Sequence, residues 1–187
     1  ALIAIRVEIN PIPKNTKIER SPWFWIFTII ACFIAFTPLT YMRPMGVDWI
    51  GFASLADAVS RNGGFILTEP SIGKWLYPPA FPTFAAWIQG NSLDGVFLLG
   101  VISFVALLLG IAAVGEKMGC GHWTIMAMLL APALFAKNLD SGFPTVASQL
   151  GLVMILLMFG EKLKWEIVAS TTVIVAMIHP TGLIYLT

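Results

Sequence analysis

The chain alternates between long apolar windows and short clusters of charged residues. Each window is close to the length of about 20 residues at which an α-helix crosses the hydrocarbon core of a membrane. Such helices satisfy their backbone hydrogen bonds internally, as lipid requires. The pattern predicts an all-α, polytopic helical membrane protein with about five transmembrane helices. The predicted spans are residues 21–42, 95–115, 118–136, 141–160 and 166–187.

Residues 43–94 break this pattern and predict a loop with two short helices. From Asp48 onward, apolar residues recur at helical spacing, which predicts an amphipathic helix lying in the membrane interface. Asp57 and Arg61 fall on its polar side, four residues apart, and predict an exposed ion pair. Residues 75–93 are uncharged but hold three prolines, so we expect a short helix at about 81–88 that dips into the membrane and returns.

Lysine and arginine predict the orientation. Residues 1–20 form a basic tail with strand-like alternation of apolar and polar positions, and we expect this tail in the cytoplasm. With a dipping helix, seven Lys and Arg residues lie on the cytoplasmic side against four outside, whereas a full crossing gives five against six. The dipping arrangement obeys the positive-inside rule. It places Asp48, the turn at 137–140 and His179 together on the outer side.

Composition excludes several classes of protein. At 58% hydrophobic and 11% charged residues, the chain lies far from a soluble domain, which has about 25% charged residues. The net charge of +1 gives no reason to expect nucleic acid. The two cysteines and two histidines form no metal-binding motif, so no metal or cofactor is predicted. Soluble-enzyme motifs such as a P-loop or a nucleophile elbow are missing.

A few polar residues could carry chemistry. Asp48 fits a catalytic or substrate-binding carboxylate, or a helix N-cap. Asp140 lies in a short turn between two spans and fits the same two roles. His179, inside an apolar window, fits either an interhelical hydrogen bond or a contact to a phosphate group. Tyr77 and Trp75 either line a sugar or lipid groove or, with the adjoining prolines, only stiffen the chain.

The motifs Gly46-Val47-Asp48 and Tyr77-Pro78-Pro79 resemble those of GT-C membrane glycosyltransferases. The N-terminal half of prokaryotic polyprenyl-phosphate-mannose-dependent mannosyltransferases is the nearest pattern, over about residues 20–187. The segment Asn138-Leu139-Asp140-Ser141 stands where that family has a later outer turn, and His179-Pro180 stands where it has Lys-Pro. The family is about twice as long, so the resemblance implies a fragment, a split subunit or a truncated relative.

The resemblance implies sugar transfer, with mannose the expected sugar, from a polyprenyl-phosphate donor to an acceptor hydroxyl on the outer face, with inversion. Asp48 would be the general base, Asp140 would orient the acceptor and His179 would meet the phosphate. The alternative is a non-catalytic integral membrane subunit of a larger complex. Such a subunit would pack against its partner through small residues such as Gly100, Gly110 and Gly115.

Overall fold

The computed structural model describes residues 22–40, 46–63, 77–88, 92–158 and 165–181. Within these ranges every regular element is an α-helix, which confirms the predicted all-α class. The helices are α1 (Pro22–Thr40), α2 (Asp48–Asn62), α3 (Ala80–Ile88), α4 (Ser92–Lys117), α5 (Gly121–Leu129), α6 (Pro132–Leu139), α7 (Phe143–Met158) and α8 (Trp165–Ile178). The strand-like tail and Trp75 lie outside the described residues.

Helices α4 and α7 form the centre of the fold and run parallel to each other. A Cβ atom added at Gly100 would lie 2.7 Å from the Phe143 ring, and one added at Gly110 would lie 2.5 Å from a Val153 methyl group. A step of ten residues along α4, from Gly100 to Gly110, corresponds to a step of ten residues along α7, from Phe143 to Val153. The two helices therefore run in the same direction. Glycine permits this approach because it has no Cβ atom.

The same contacts correct the expected use of the small residues. Gly100 and Gly110 face α7, and a Cβ atom at Gly115 would lie 2.2 Å from the Thr124 hydroxyl of α5. These three glycines are therefore occupied by helices of the same chain and do not form a free surface for a partner subunit.

Helices α1 and α8 run antiparallel to this central pair. Gly151 of α7 contacts Val175 of α8, and Phe27 and Ala31 of α1 pack toward the C-terminal and the middle part of α4, respectively. At one end of the bundle, the Lys117 Nζ donates a hydrogen bond to the carbonyl of Leu157, at 2.6 Å. The beginnings of α2 and α7 and the ends of α6 and α8 meet at the opposite end.

A second apolar cluster fixes α2 and α3 against that opposite end. Phe52 of α2, Phe81 of α3 and Phe143 of α7 are all buried there, with exposed fractions of 3% or less. Burying large side chains is the main stabilising term in such contacts, at about 1.5–3 kcal/mol each. The helix that begins with Asp48 is therefore held firmly against the central pair.

The predicted helices of the loop 43–94 are present, although α2 is half buried in the fold. Its polar side carries the expected Asp57–Arg61 ion pair, which confirms that prediction. It ends at Gly63, whose φ of +70° is the left-handed conformation common after helices. Helix α3 has nine residues and is about 14 Å long, too short to cross a bilayer by itself.

The predicted span at 118–136 is divided into two helices, α5 and α6. Pro132 begins α6, and Ala131 before it is extended, with ψ of 94°. Proline cannot donate a backbone hydrogen bond and disfavours helical geometry in the residue before it, so the helix breaks at this point. The uncharged window does not reveal the break because proline is itself uncharged.

One described helix, at Leu93–Lys117 in α4, is long and apolar enough to cross a membrane by length and composition alone. The core helix of a soluble protein passes the same test. Shorter apolar helices lie at Trp25–Ile34, Phe143–Met158 and Trp165–Ile178.

Candidate functional site

An open cleft of about 360 Å³ lies where the beginnings of α2 and α7 meet the ends of α6 and α8. This volume is within the range of small-molecule sites, about 300–1,000 Å³. The cleft joins polar side chains from four separate parts of the chain. These are Asp48, Tyr77, Lys137, Asp140, Thr145, His179 and Thr181, with Phe52, Gly142 and Pro144 completing the wall. Four of the five residues singled out from the sequence therefore meet in one cleft, and Trp75 lies outside the described residues.

Asp48 is the first residue of α2 and is exposed to the cleft. The N-cap position belongs to Val47, which makes no side-chain capping hydrogen bond. Asp48 therefore does not occupy the N-cap position that the sequence left open for it. A negatively charged side chain in the first turn interacts favourably with the partial positive charge of the helix N-terminus.

Asp140 is the C-cap of α6 and bonds through its backbone N–H to the carbonyl of Ala136, at 2.8 Å. Its side chain is exposed to the cleft. The partial negative charge of a helix C-terminus disfavours a carboxylate, and Lys137 in the same last turn offsets this.

The turn after Asp140 is a Schellman motif with an unusual residue in it. The N–H of Gly142 bonds to the carbonyl of Lys137, and the N–H of Ser141 bonds to the carbonyl of Asn138. Ser141 has φ of +60°, the left-handed conformation that glycine usually supplies at this position. Asn138 is buried, and its Oδ1 has no hydrogen-bond partner among the described residues.

The segments that carry the two carboxylates touch each other directly. A Cβ atom added at Gly46 would lie 2.2 Å from the carbonyl oxygen of Asp140 and 2.7 Å from its Oδ1. The backbone N–H of Trp49 donates to the Oγ of Ser141 at 3.3 Å. Glycine at position 46 is therefore a requirement of this close approach, which gives the Gly46-Val47-Asp48 motif a structural reason.

Tyr77 lies in the same cleft wall as Asp48 and His179. Its ring makes an edge contact to Phe52 with 5.0 Å between centroids, and its centroid is 5.8 Å from that of His179. Burial raises the pKa of the Tyr77 phenol well above its usual value of about 10, and the negative charge of Asp48 raises it further. Tyr77 therefore remains a neutral hydroxyl group at physiological pH.

His179 follows directly after the end of α8 and has a local partner. Its Nδ1 accepts a hydrogen bond from the N–H of Thr181 at 3.1 Å and lies 2.5 Å from the Thr181 hydroxyl. The sequence left an interhelical hydrogen bond open for this ring, but these bonds span only two residues. Because Nδ1 is an acceptor, the ring proton belongs on Nε2, which leaves one N–H donor.

Sequence reasoning missed Lys137, Thr145 and Thr181 as cleft residues. Lys137 entered only as a charge that orients the chain, although its place three residues before Asp140 puts it on the same last turn of a helix. Thr145 lies in the first turn of α7 after the Asp140 turn, and Thr181 follows His179 by two residues. Neither threonine has a sequence signal apart from its closeness to a predicted site residue.

No group of three or more His, Cys, Asp or Glu side chains able to hold a metal ion occurs within the described ranges. No family model, curated protein or solved structure matches this chain. Function must therefore be inferred from the cleft and the surface around it.

Proposed function

We propose that this chain is a membrane glycosyltransferase, or the N-terminal part of one, that moves a sugar from a polyprenyl-phosphate donor to an acceptor hydroxyl. The observation that carries the proposal is the cleft itself. Two carboxylates, a lysine, a histidine with one N–H donor and a tyrosine converge there from distant parts of the chain. Asp48 and Tyr77 belong to the two motifs with the strongest resemblance to GT-C enzymes.

Exposed apolar side chains support a membrane location. On α1, Ile29 and Phe33 are 66% and 77% exposed, and large apolar residues of α4, α7 and α8 are exposed as well. Contiguous apolar surface of this kind is typical of contact with lipid or with a partner. The proposal assigns membrane crossings to α1, α4, the α5–α6 pair, α7 and α8.

Tryptophans at the end of the bundle opposite the cleft give further support. Trp23, Trp25, Trp123 and Trp165 all lie in the first turns of α1, α5 or α8 and are at least 50% exposed. Tryptophan is enriched at the membrane–water interface. This end of the bundle would lie at the cytoplasmic interface, and the cleft would open on the outer side.

The cleft offers separate groups for the acceptor and the donor. Asp48 would accept the proton of the acceptor hydroxyl, whose oxygen bonds to the anomeric carbon of the sugar. The bond from that carbon to the phosphate oxygen breaks, and polyprenyl phosphate leaves with the electron pair. A single displacement of this kind inverts the anomeric centre. Asp140 would orient the acceptor from the neighbouring turn.

Lys137 and the Nε2–H of His179 are the donors suited to the phosphate. Both line the cleft, and a lysine ammonium binds phosphate as a point charge. The Lys-Pro of the family is His-Pro here, and Lys137 supplies the cation from a different helix. Tyr77, held neutral, offers a ring face and a hydroxyl group to the sugar.

The test is a transfer assay with the purified chain in lipid vesicles. Polyprenyl-phosphate mannose and the glucose analogue are supplied with a simple glycoside acceptor, and release of polyprenyl phosphate is measured. We expect release by the wild type and none by Asp48→Asn, which keeps the size of the side chain and should remain folded. Normal release by Asp48→Asn would contradict the role of Asp48.

The alternative, a non-catalytic membrane subunit, predicts no release and no donor binding by the wild type. Because the central glycines contact helices of the same chain, they do not offer the packing surface that was expected of such a subunit. Donor binding measured without acceptor separates the two, since a subunit has no reason to bind a lipid-phosphate sugar.

A further inference from the structure

Ser141 stands between the two carboxylates of the cleft without belonging to its wall. Its side chain is fully buried. Its hydroxyl donates to the carbonyl of Asp140 at 2.5 Å and accepts from the backbone N–H of Trp49 at 3.3 Å. The first N–H groups of a helix have no partner within the helix, and Val47 at the N-cap supplies none. Ser141 therefore gives α2 an acceptor from a position 92 residues away in the chain.

The backbone at Ser141 is strained, and the strain is informative. A φ of +60° is energetically unfavourable for serine, whereas glycine adopts it without this cost. Glycine would close the same Schellman turn, so the hydroxyl group is what serine adds here. Strain of this kind persists where the surrounding structure holds it, commonly beside a functional site.

The second contact between the same segments lies at Gly46, against the carbonyl and the carboxylate of Asp140. Together the two contacts hold Asp48 on one side and Asp140 on the other, because Asp48 is two residues from Gly46 and one from Trp49, and Asp140 itself contacts Gly46. General-base catalysis requires the base within hydrogen-bond reach of the acceptor, so the separation of these carboxylates matters for the reaction.

We propose that Ser141 is a positioning residue that sets the separation of the Asp48 and Asp140 carboxylates by linking the N-terminus of α2 to the α6–α7 turn. The proposal rests on the proposed transferase function for its effect on rate. The link itself does not depend on which reaction the cleft performs.

The key variant is Ser141→Gly, which removes the hydroxyl group and relieves the strain. Ser148→Ala is the control, since Ser148 is equally buried but bonds within its own helix, to the carbonyl of Thr145. Spin labels at Val47→Cys and Ala136→Cys, in a Cys32→Ala and Cys120→Ser background, report the separation of the two segments. Hydrogen exchange of the Trp49 amide reports the bond.

We expect Ser141→Gly to speed exchange at Trp49 by about tenfold or more and to broaden the distance distribution, with no loss of thermal stability. Its kcat for transfer should fall by about tenfold or more while the KM for the donor stays near the wild-type value. Ser148→Ala should change none of these.

Unchanged exchange and an unchanged distance distribution in Ser141→Gly would overturn the link. A broadened distribution with a normal kcat would overturn the positioning role. If the wild type transfers no sugar but the distribution broadens in Ser141→Gly, the transferase function is wrong and the link between the carboxylate segments stands.

Discussion

The two ends of α2 hold the same kinds of residue in opposite surroundings. At its N-terminus Gly46 is packed against the α6–α7 turn, and Asp48 lines the cleft beside that turn. At its C-terminus Asp57 pairs with Arg61 on the surface, and a Cβ atom added at Gly63 would have no atom of another described segment within 4 Å. Residue type alone therefore does not identify a functional carboxylate. What distinguishes Asp48 is the set of distant segments that its end of the helix contacts.

The largest effect expected from this contrast is on catalysis. Asp48→Asn should lower kcat by about 10²–10⁴-fold because it removes the general base. Asp57→Asn should leave the rate within about twofold and cost at most about 1 kcal/mol of stability, as is usual for a surface ion pair. Transfer assays and thermal unfolding of both variants check this. Equal losses of rate in the two variants would remove the distinction between the two ends.

The glycines at the two ends provide the next test. Gly46→Ala should cost about 1–3 kcal/mol because the backbone of Asp140 cannot move away easily. Gly63→Ala should cost about 1–2 kcal/mol through its positive φ alone. The two variants should lose similar amounts of stability, but only Gly46→Ala should lower activity, because only this change displaces the segments that carry the two carboxylates. Unfolding midpoints and donor turnover separate them, and a normal turnover in Gly46→Ala would contradict the close approach.

A smaller effect is expected from the cations. Lys137→Ala should weaken donor binding by about tenfold, or 1.4 kcal/mol, because it removes the cation nearest the proposed phosphate position. Arg61→Ala, at the other end of α2, should leave the donor affinity unchanged. Binding titrations at low and high salt check both variants, and the Lys137 effect should shrink as salt screens it. Equal affinities in the two variants would place the phosphate elsewhere.

The sequence predicted much of this site and for a physical reason. Successive helices that alternate in direction bring the ends of every second segment to the same side, and the topology predicted from this grouped Asp48, Asp140 and His179, which line one cleft. The Asp57–Arg61 pair followed from spacing on one helix. The roles of the cleft residues in transfer stay predictions.

Other features depend on backbone geometry, which the average hydropathy of a sequence window does not reflect. The break before Pro132 divides one predicted span into two helices, and hydropathy does not indicate this break. The left-handed Ser141 gives no signal in sequence because serine is ordinary in turns. Its importance arises only from the amide of Trp49, which lies 92 residues away along the chain.

The smallest expected effect concerns Tyr77 and compares Asp48 with Asp57 directly. Its pKa is raised by burial and, to a lesser degree, by the charge of Asp48. Because the folded pKa lies above the unfolded value of about 10, the stability from the neutral phenol is present below that pH and is lost as pH rises above it. Asp48→Asn should therefore lower the pH at which Tyr77 ionises, whereas Asp57→Asn should not change it. Most of the shift should survive in Asp48→Asn, because burial is the larger cause. Ultraviolet titration of phenolate, with Tyr77→Phe to assign the signal, measures this, and an unchanged Tyr77 midpoint in Asp48→Asn would mean that the carboxylate does not face the phenol.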